Sequence, residues 1–156
     1  MIDKGRQIKA MILVDGRFPD GKAFTADAHC GTMLDGMIRP DDYLPPWPRW
    51  WGSFVSGLVV DEAARDLVLN EAAPIPRTWF DQSCPVPSLP ATVGRGFLSF
   101  GLGYAQSCDQ AYQHGWYTTR LSGDHLHQVV APDAVAATLM AMVAGMTSGR
   151  GYPVED

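Results

Sequence analysis

Arg95-Gly96-Phe97-Leu98-Ser99-Phe100, then a helical stretch from about Ala105 to His114, then Trp116-Tyr117-Thr118-Thr119-Arg120-Leu121 together decide the fold. The outer pieces are short, rich in β formers and bounded by glycine, which is how strands read. Between them, Tyr104, Cys108, Ala111 and Tyr112 recur at helical spacing, and Gly115 suits the residue just past a helix end. Strand, helix, strand in this order is a βαβ unit, and its crossover makes the two strands parallel.

Working outward, Ile8-Lys9-Ala10-Met11-Ile12-Leu13-Val14 is a nearly continuous apolar run ended by Asp15-Gly16, and it predicts a further parallel strand buried on both faces. On the other side, Pro132 opens a last helix whose Val135, Leu139, Met142 or Val143, and Met146 share a buried face. The class is therefore α/β, with a parallel sheet of about three strands and flanking helices. Polar residues follow each strand, at Asp15, at Gly101 to Tyr104 and at Asp124-His125, and in an open parallel sheet that carboxyl edge is where ligands bind.

Residues 40–90 break this pattern. Tyr43, Leu44, Pro45, Pro46, Trp47, Pro48, Arg49, Trp50 and Trp51 are too proline-broken for a strand, and Pro74, Pro76, Trp79, Phe80, Cys84, Pro85 and Pro87 punctuate the end. This stretch predicts an irregular cap inserted in a single domain covering 1–156. Within it, Asp61 should cap a helix from Glu62 to about Ala73 that carries Ala64, Leu67, Val68 and Glu71 or Ala72 on one face.

Composition narrows the class of partner. With 12 Lys+Arg against 17 Asp+Glu, the formal charge of −5 leaves no basic face for nucleic acid or an anionic membrane. No apolar run reaches the ~20 residues of a membrane span. The start, Met1-Ile2-Asp3-Lys4-Gly5-Arg6, leads only into the brief run Ala10 to Val14, so a cytoplasmic protein is expected. The three cysteines, 30, 84 and 108, are odd in number and widely spaced, which argues against a disulfide framework.

Four stretches carry a resemblance. Met11-Ile12-Leu13-Val14-Asp15-Gly16-Arg17-Phe18-Pro19 is similar to the sixth strand of the α/β-hydrolases. Leu44 to Trp51 is similar to their lid, and Gly94 to Trp116 to their seventh strand and its helix. Ser122-Gly123-Asp124-His125-Leu126-His127, followed by Pro132 to Ala136, looks like the loop bearing the catalytic histidine and the last helix. The chain thus resembles the C-terminal half of an α/β-hydrolase of the serine esterase or thioesterase kind, across about residues 8 to 146. It departs from that family by lacking G-x-S-x-G, the turn that exposes the nucleophilic serine. Neither Gly52-Ser53-Phe54-Val55-Ser56-Gly57 nor Ser99-Phe100-Gly101 fits that motif.

The resemblance implies that His125 is a general base, oriented by a carboxylate. Asp15, at the end of the first strand, is the candidate orienter, although a turn residue before Gly16 reads the same way. Asp109 falls inside the predicted helix, where a solvated face explains it, and His127 reads as structural. Trp47, Trp50, Trp51 and Trp79, with Tyr104, are the candidate substrate-binding residues, since indoles bury large area while keeping one polar donor. The tryptophans also read as anchors for a proline-rich segment. A zinc site from His125-x-His127 with Asp124 and His29, Cys30 or His114 is a competing chemistry with nothing to fix its distant members. Cys108 as a nucleophile competes with its place on an apolar helical stripe. The reading adopted requires no metal and no cofactor.

The expectation is a protein that acts on or binds an apolar ester or thioester, with its nucleophile supplied from outside the chain. Two alternatives stand beside it: a non-hydrolytic ligand binder or cyclase using an aromatic pocket, and a non-catalytic remnant. In the resembled fold the first strand is interior, and its neighbour is missing here. A homodimer or a complementary half-chain joined through that strand is therefore expected, in place of a stable monomer.

Overall fold

The computed structural model describes residues 7–26, 28–50 and 53–148. The chain divides into two compact units, Met1–Phe18 with Ser88–Asp156, and Pro19–Pro87.

The first unit is the α/β body. Its strands β1 (Ala10–Val14), β4 (Gly94–Phe100) and β5 (Tyr117–Leu121) form one parallel sheet in the order β1-β4-β5. Ala10 is in register with Gly94 and Val14 with Leu98, and Gly96 to Phe100 match Tyr117 to Leu121. The strand expected to be buried on both faces is instead an edge strand, half-buried along its whole length. The central strand is β4, whose last five residues are all buried. An apolar run alone does not distinguish the two positions, because side chains of an edge strand still face both helical layers.

Alternation along β4 sorts the core. Phe97 faces one side with Phe18, Cys108, Ala111 and Trp116, under α4 (Ala105–Gln113). Leu98 and Phe100 face the other with Val135 and Met142, under α6 (Pro132–Thr147). Leu139 and Met146 pack against that second cluster, which is the helix face expected from their spacing. Gly94 admits α6 closely: a Cβ there would stand 2.9 Å from Cβ of Met146. The short α5 (His127–Val130) precedes α6, and Gly115 takes φ 74 just beyond α4.

The second unit has more regular structure than its prolines suggest. It holds α1 (Ala28–Asp35), α2 (Phe54–Leu58), α3 (Glu62–Glu71) and a two-residue antiparallel pairing of β2 (Tyr43–Leu44) with the sequence-distant β3 (Ile75–Pro76). Asp61 caps α3 by accepting from the Ala64 N–H at 2.8 Å. No residue of α3 is fully buried: on the expected apolar face Ala64 and Val68 are half-buried while Leu67 is 57% exposed, so that face is only partly covered and the Asp61 cap adds local support. Arg77 ties the unit together, donating to Asp35 and to Asp81. Hydrogen bonds from Arg77 and Thr25 hold the Asp81 carboxyl below its usual range. Among the described residues, no helix is long and apolar enough to cross a membrane.

Candidate functional site

The ladder between β1 and β4 ends in a side chain. The Asp15 N–H donates to the Leu98 carbonyl at 2.7 Å, as the parallel pattern requires. The next rung would join the Phe100 N–H to the Asp15 carbonyl. Asp15, however, adopts φ 41 and turns the chain away, and its own Oδ1 accepts the Phe100 N–H at 2.7 Å. The carboxylate is thereby built into the sheet edge, only 4% exposed.

Its second oxygen faces His125. Nδ1 of His125 lies 2.7 Å from Oδ2 of Asp15. A carboxylate only accepts, so Nδ1 carries a proton, and in the neutral imidazole Nε2 is left with a lone pair. No described residue hydrogen-bonds Nε2, and the His125 side chain is 37% exposed. The pair therefore has one buried, immobilised end and one open end.

Two backbone features and one ring contact set His125 there. Leu126, directly after it, is buried and left-handed at φ 73, an uncommon conformation for a branched residue. Gly101, at φ 51, approaches the loop so closely that a Cβ would stand 2.5 Å from the Gly123 carbonyl oxygen. His127 opens α5 with its ring 5.4 Å from that of Phe100, edge to face, so it holds the loop against the residue that anchors Asp15. The Tyr104 ring lies 5.4 Å from the His125 ring. Burial, and behind it the Asp15 charge, pushes the Tyr104 hydroxyl above its ordinary value, so it is kept as a neutral donor beside the histidine.

The other candidates lie elsewhere. Asp109 is exposed and paired with Arg120 at 2.5 Å. Cys108 is buried on the core-facing side of α4. His114 donates Nδ1–H to the Gln110 carbonyl at 2.8 Å and packs its ring against Phe18. Among the described residues, no group of three or more His, Cys, Asp or Glu is placed to hold a metal, and the side chains of His29 and Cys30 lie outside those described.

Of the tryptophans, Trp51 lies outside the described residues. Trp50 donates its indole N–H to the Pro45 carbonyl at 2.7 Å and meets the Phe80 ring at 5.6 Å, while Trp79 meets it at 5.3 Å and Phe24 at 5.5 Å. Phe80 is thus the hub of an aromatic cluster that pins the second unit's own irregular segments. Trp47 sits half-buried in a single 3-10 turn, Trp47–Arg49, and Trp79 stays 59% exposed.

Sequence reasoning missed the Phe100 N–H as the anchor of Asp15 and the left-handed Leu126. Gly101 signalled a turn, but nothing in the sequence marked its contact with Gly123. Compared with protein-family models, curated proteins and solved structures, the chain matches none.

Proposed function

We propose that Asp15 and His125 are the orienting acid and general base of an acyl-transfer site acting on an ester or thioester with an apolar acyl group. The observation that carries this reading is the pair itself: a buried carboxylate whose two oxygens are both committed, and an imidazole whose Nε2 is open. His125 takes a proton at Nε2 from the attacking hydroxyl, the Asp15 carboxylate stabilises the imidazolium that results, and the proton returns to the leaving group. The attacking group comes from outside the chain and is water in the simplest case. Tyr104, neutral and a donor with its ring 5.4 Å from that of His125, is the group this reading assigns to support developing negative charge. Leu102, two residues before Tyr104, is apolar and 91% exposed. The resemblance to an α/β-hydrolase half is consistent with the parallel order of the three strands, and the free thiols of Cys84 and Cys108 suit the cytoplasm.

A second reading keeps the base and drops the acyl chemistry. No hydroxyl or thiol among the described residues bonds Nε2. That favours a proton transfer within a bound apolar molecule, as in a cyclase.

Hydrolysis of a medium-chain aryl ester and of an acyl thioester by wild type, His125→Ala and His127→Ala tests the proposal. His125→Ala should lose ~10²–10⁴-fold in rate, the usual contribution of a general base. His127→Ala should lose mainly stability. Equal rates for His125→Ala and wild type, or a wild type no faster than free imidazole at equal concentration, would overturn it. Binding of apolar compounds without release of acid or thiol would favour the second reading.

A further inference from the structure

We propose that two copies of the chain join through β1, running antiparallel about a two-fold axis at Ile12, so that the two sheets become one. The bonds from the Gly94 N–H to the Lys9 carbonyl and from the Asp15 N–H to the Leu98 carbonyl fix the odd-numbered backbone groups of β1 toward β4. The N–H and C=O groups of Ala10, Ile12 and Val14 consequently point to the open side. No described residue of this unit hydrogen-bonds them. Ala-Met-Ile-Leu-Val carries none of the devices that protect an edge: no charge, no proline and no bulge.

The occupant is a second copy because this edge complements itself. With Ile12 opposite Ile12, Ala10 of each copy faces Val14 of the other, and every outward donor and acceptor finds a partner. A shift of the register by two residues would leave some of them unpaired.

An independent feature lies on the same side. Helix α6 has Asp133 as its one charged residue along Pro132–Thr147. Its orientation is set by Met146, which lies against Gly94 and Gly96, and by Gly145, where a Cβ would meet the Tyr117 ring at 3.1 Å. At 3.6 residues per turn, the flank away from β5 therefore carries Ala136, Leu139, Met140 and Val143, and Met140 is 70% exposed. A helix apolar nearly all round belongs against another surface. A two-fold axis perpendicular to the sheet keeps both copies of α6 on one face, so these flanks meet over the joined strands.

Light scattering after size exclusion, with amide hydrogen exchange on the same samples, tests this on the full chain. At micromolar concentration the mass should be twice 17.0 kDa, and the amides of Ile12 and Val14 should be as protected as those of Met11 and Leu13. Ile12→Pro removes an outward N–H, which an edge tolerates, together with part of the Ile12 packing against the α6 cluster, whereas Met140→Lys leaves β1 intact. Each should weaken self-association about tenfold or more with an unchanged circular dichroism spectrum. A 17.0 kDa species would overturn the proposal, whether its Ile12 and Val14 amides are open or are protected by the chain's own residues. So would a dimer in which those amides exchange freely.

Discussion

Nδ1 of His125 stands 2.7 Å from Oδ2 of Asp15, across 110 positions of sequence. The contact exists because β1 and β5 flank the same central strand and present their carboxyl ends together. The reach is completed by two left-handed residues, Asp15 and Leu126. Strain at such positions is held only where the surroundings determine it, and here the Phe100 N–H and the Phe100–His127 ring contact do so.

Asp15→Asn separates positioning from folding. The amide oxygen can still accept the Phe100 N–H, but the amide nitrogen then faces Nδ1 as a donor and forces the proton to Nε2. Activity should fall by about 10²-fold or more, while the urea midpoint moves by no more than ~1–2 kcal/mol equivalent for one weakened hydrogen bond. Parallel rate assays and denaturation curves check this, and an unchanged rate would return Asp15 to a turn residue.

Tyr104 gives the pH dependence. Its folded value is raised, by burial first and by Asp15 second, so the stability it contributes is fully present below the ordinary tyrosine value of 10.0 and is lost as pH rises through the folded value. In a phenolate absorbance titration, Tyr104→Phe should delete a late-ionising tyrosine. Asp15→Asn should move that step to lower pH without bringing it to the ordinary value, because burial persists.

Gly101→Ala should damage the site from outside it. An added Cβ meets the Gly123 carbonyl oxygen at 2.5 Å and sits at φ 51, so the loop bearing His125 must shift. A loss of ~1–3 kcal/mol is expected, with a fall in activity at temperatures where the variant is still folded. Calorimetry and rate assays on one preparation check both.

For the second unit, saturable quenching of tryptophan emission by medium-chain acyl compounds is expected, with Trp79 as the responding indole because it is the most exposed of the described tryptophans, at 59%. Trp79→Phe should remove most of the response. No quenching in wild type would leave the aromatic cluster around Phe80 as an anchor alone.

The α/β body was legible because its apolar runs are short and sharply punctuated. Arg95 to Phe100, Ala105 to His114 and Trp116 to Leu121 each fall within a residue or two of the elements formed. Asp15 and His125 were legible as residues at strand ends, and with them the pairing of a carboxylate and a histidine on one edge. The edge position of β1 was not, since it depends on which strand ends up central. Helix α1, with Gly31 inside it and little apolar periodicity, and α2, five residues long, carry no local signal strong enough to read. The anchoring of Asp15 by a backbone N–H, and the left-handed turn at Leu126, are tertiary outcomes that no residue type announces.

The central claim is that Asp15 fixes the proton of His125 on Nδ1 and presents Nε2 as the basic atom. Long-range ¹H–¹⁵N correlation spectra of the imidazole rings test it without any substrate. In wild type above the histidine titration, His125 should show a protonated Nδ1 and a bare Nε2, and Asp15→Asn should reverse the two. A wild-type His125 protonated at Nε2, or a tautomer indifferent to Asp15→Asn, would contradict the account.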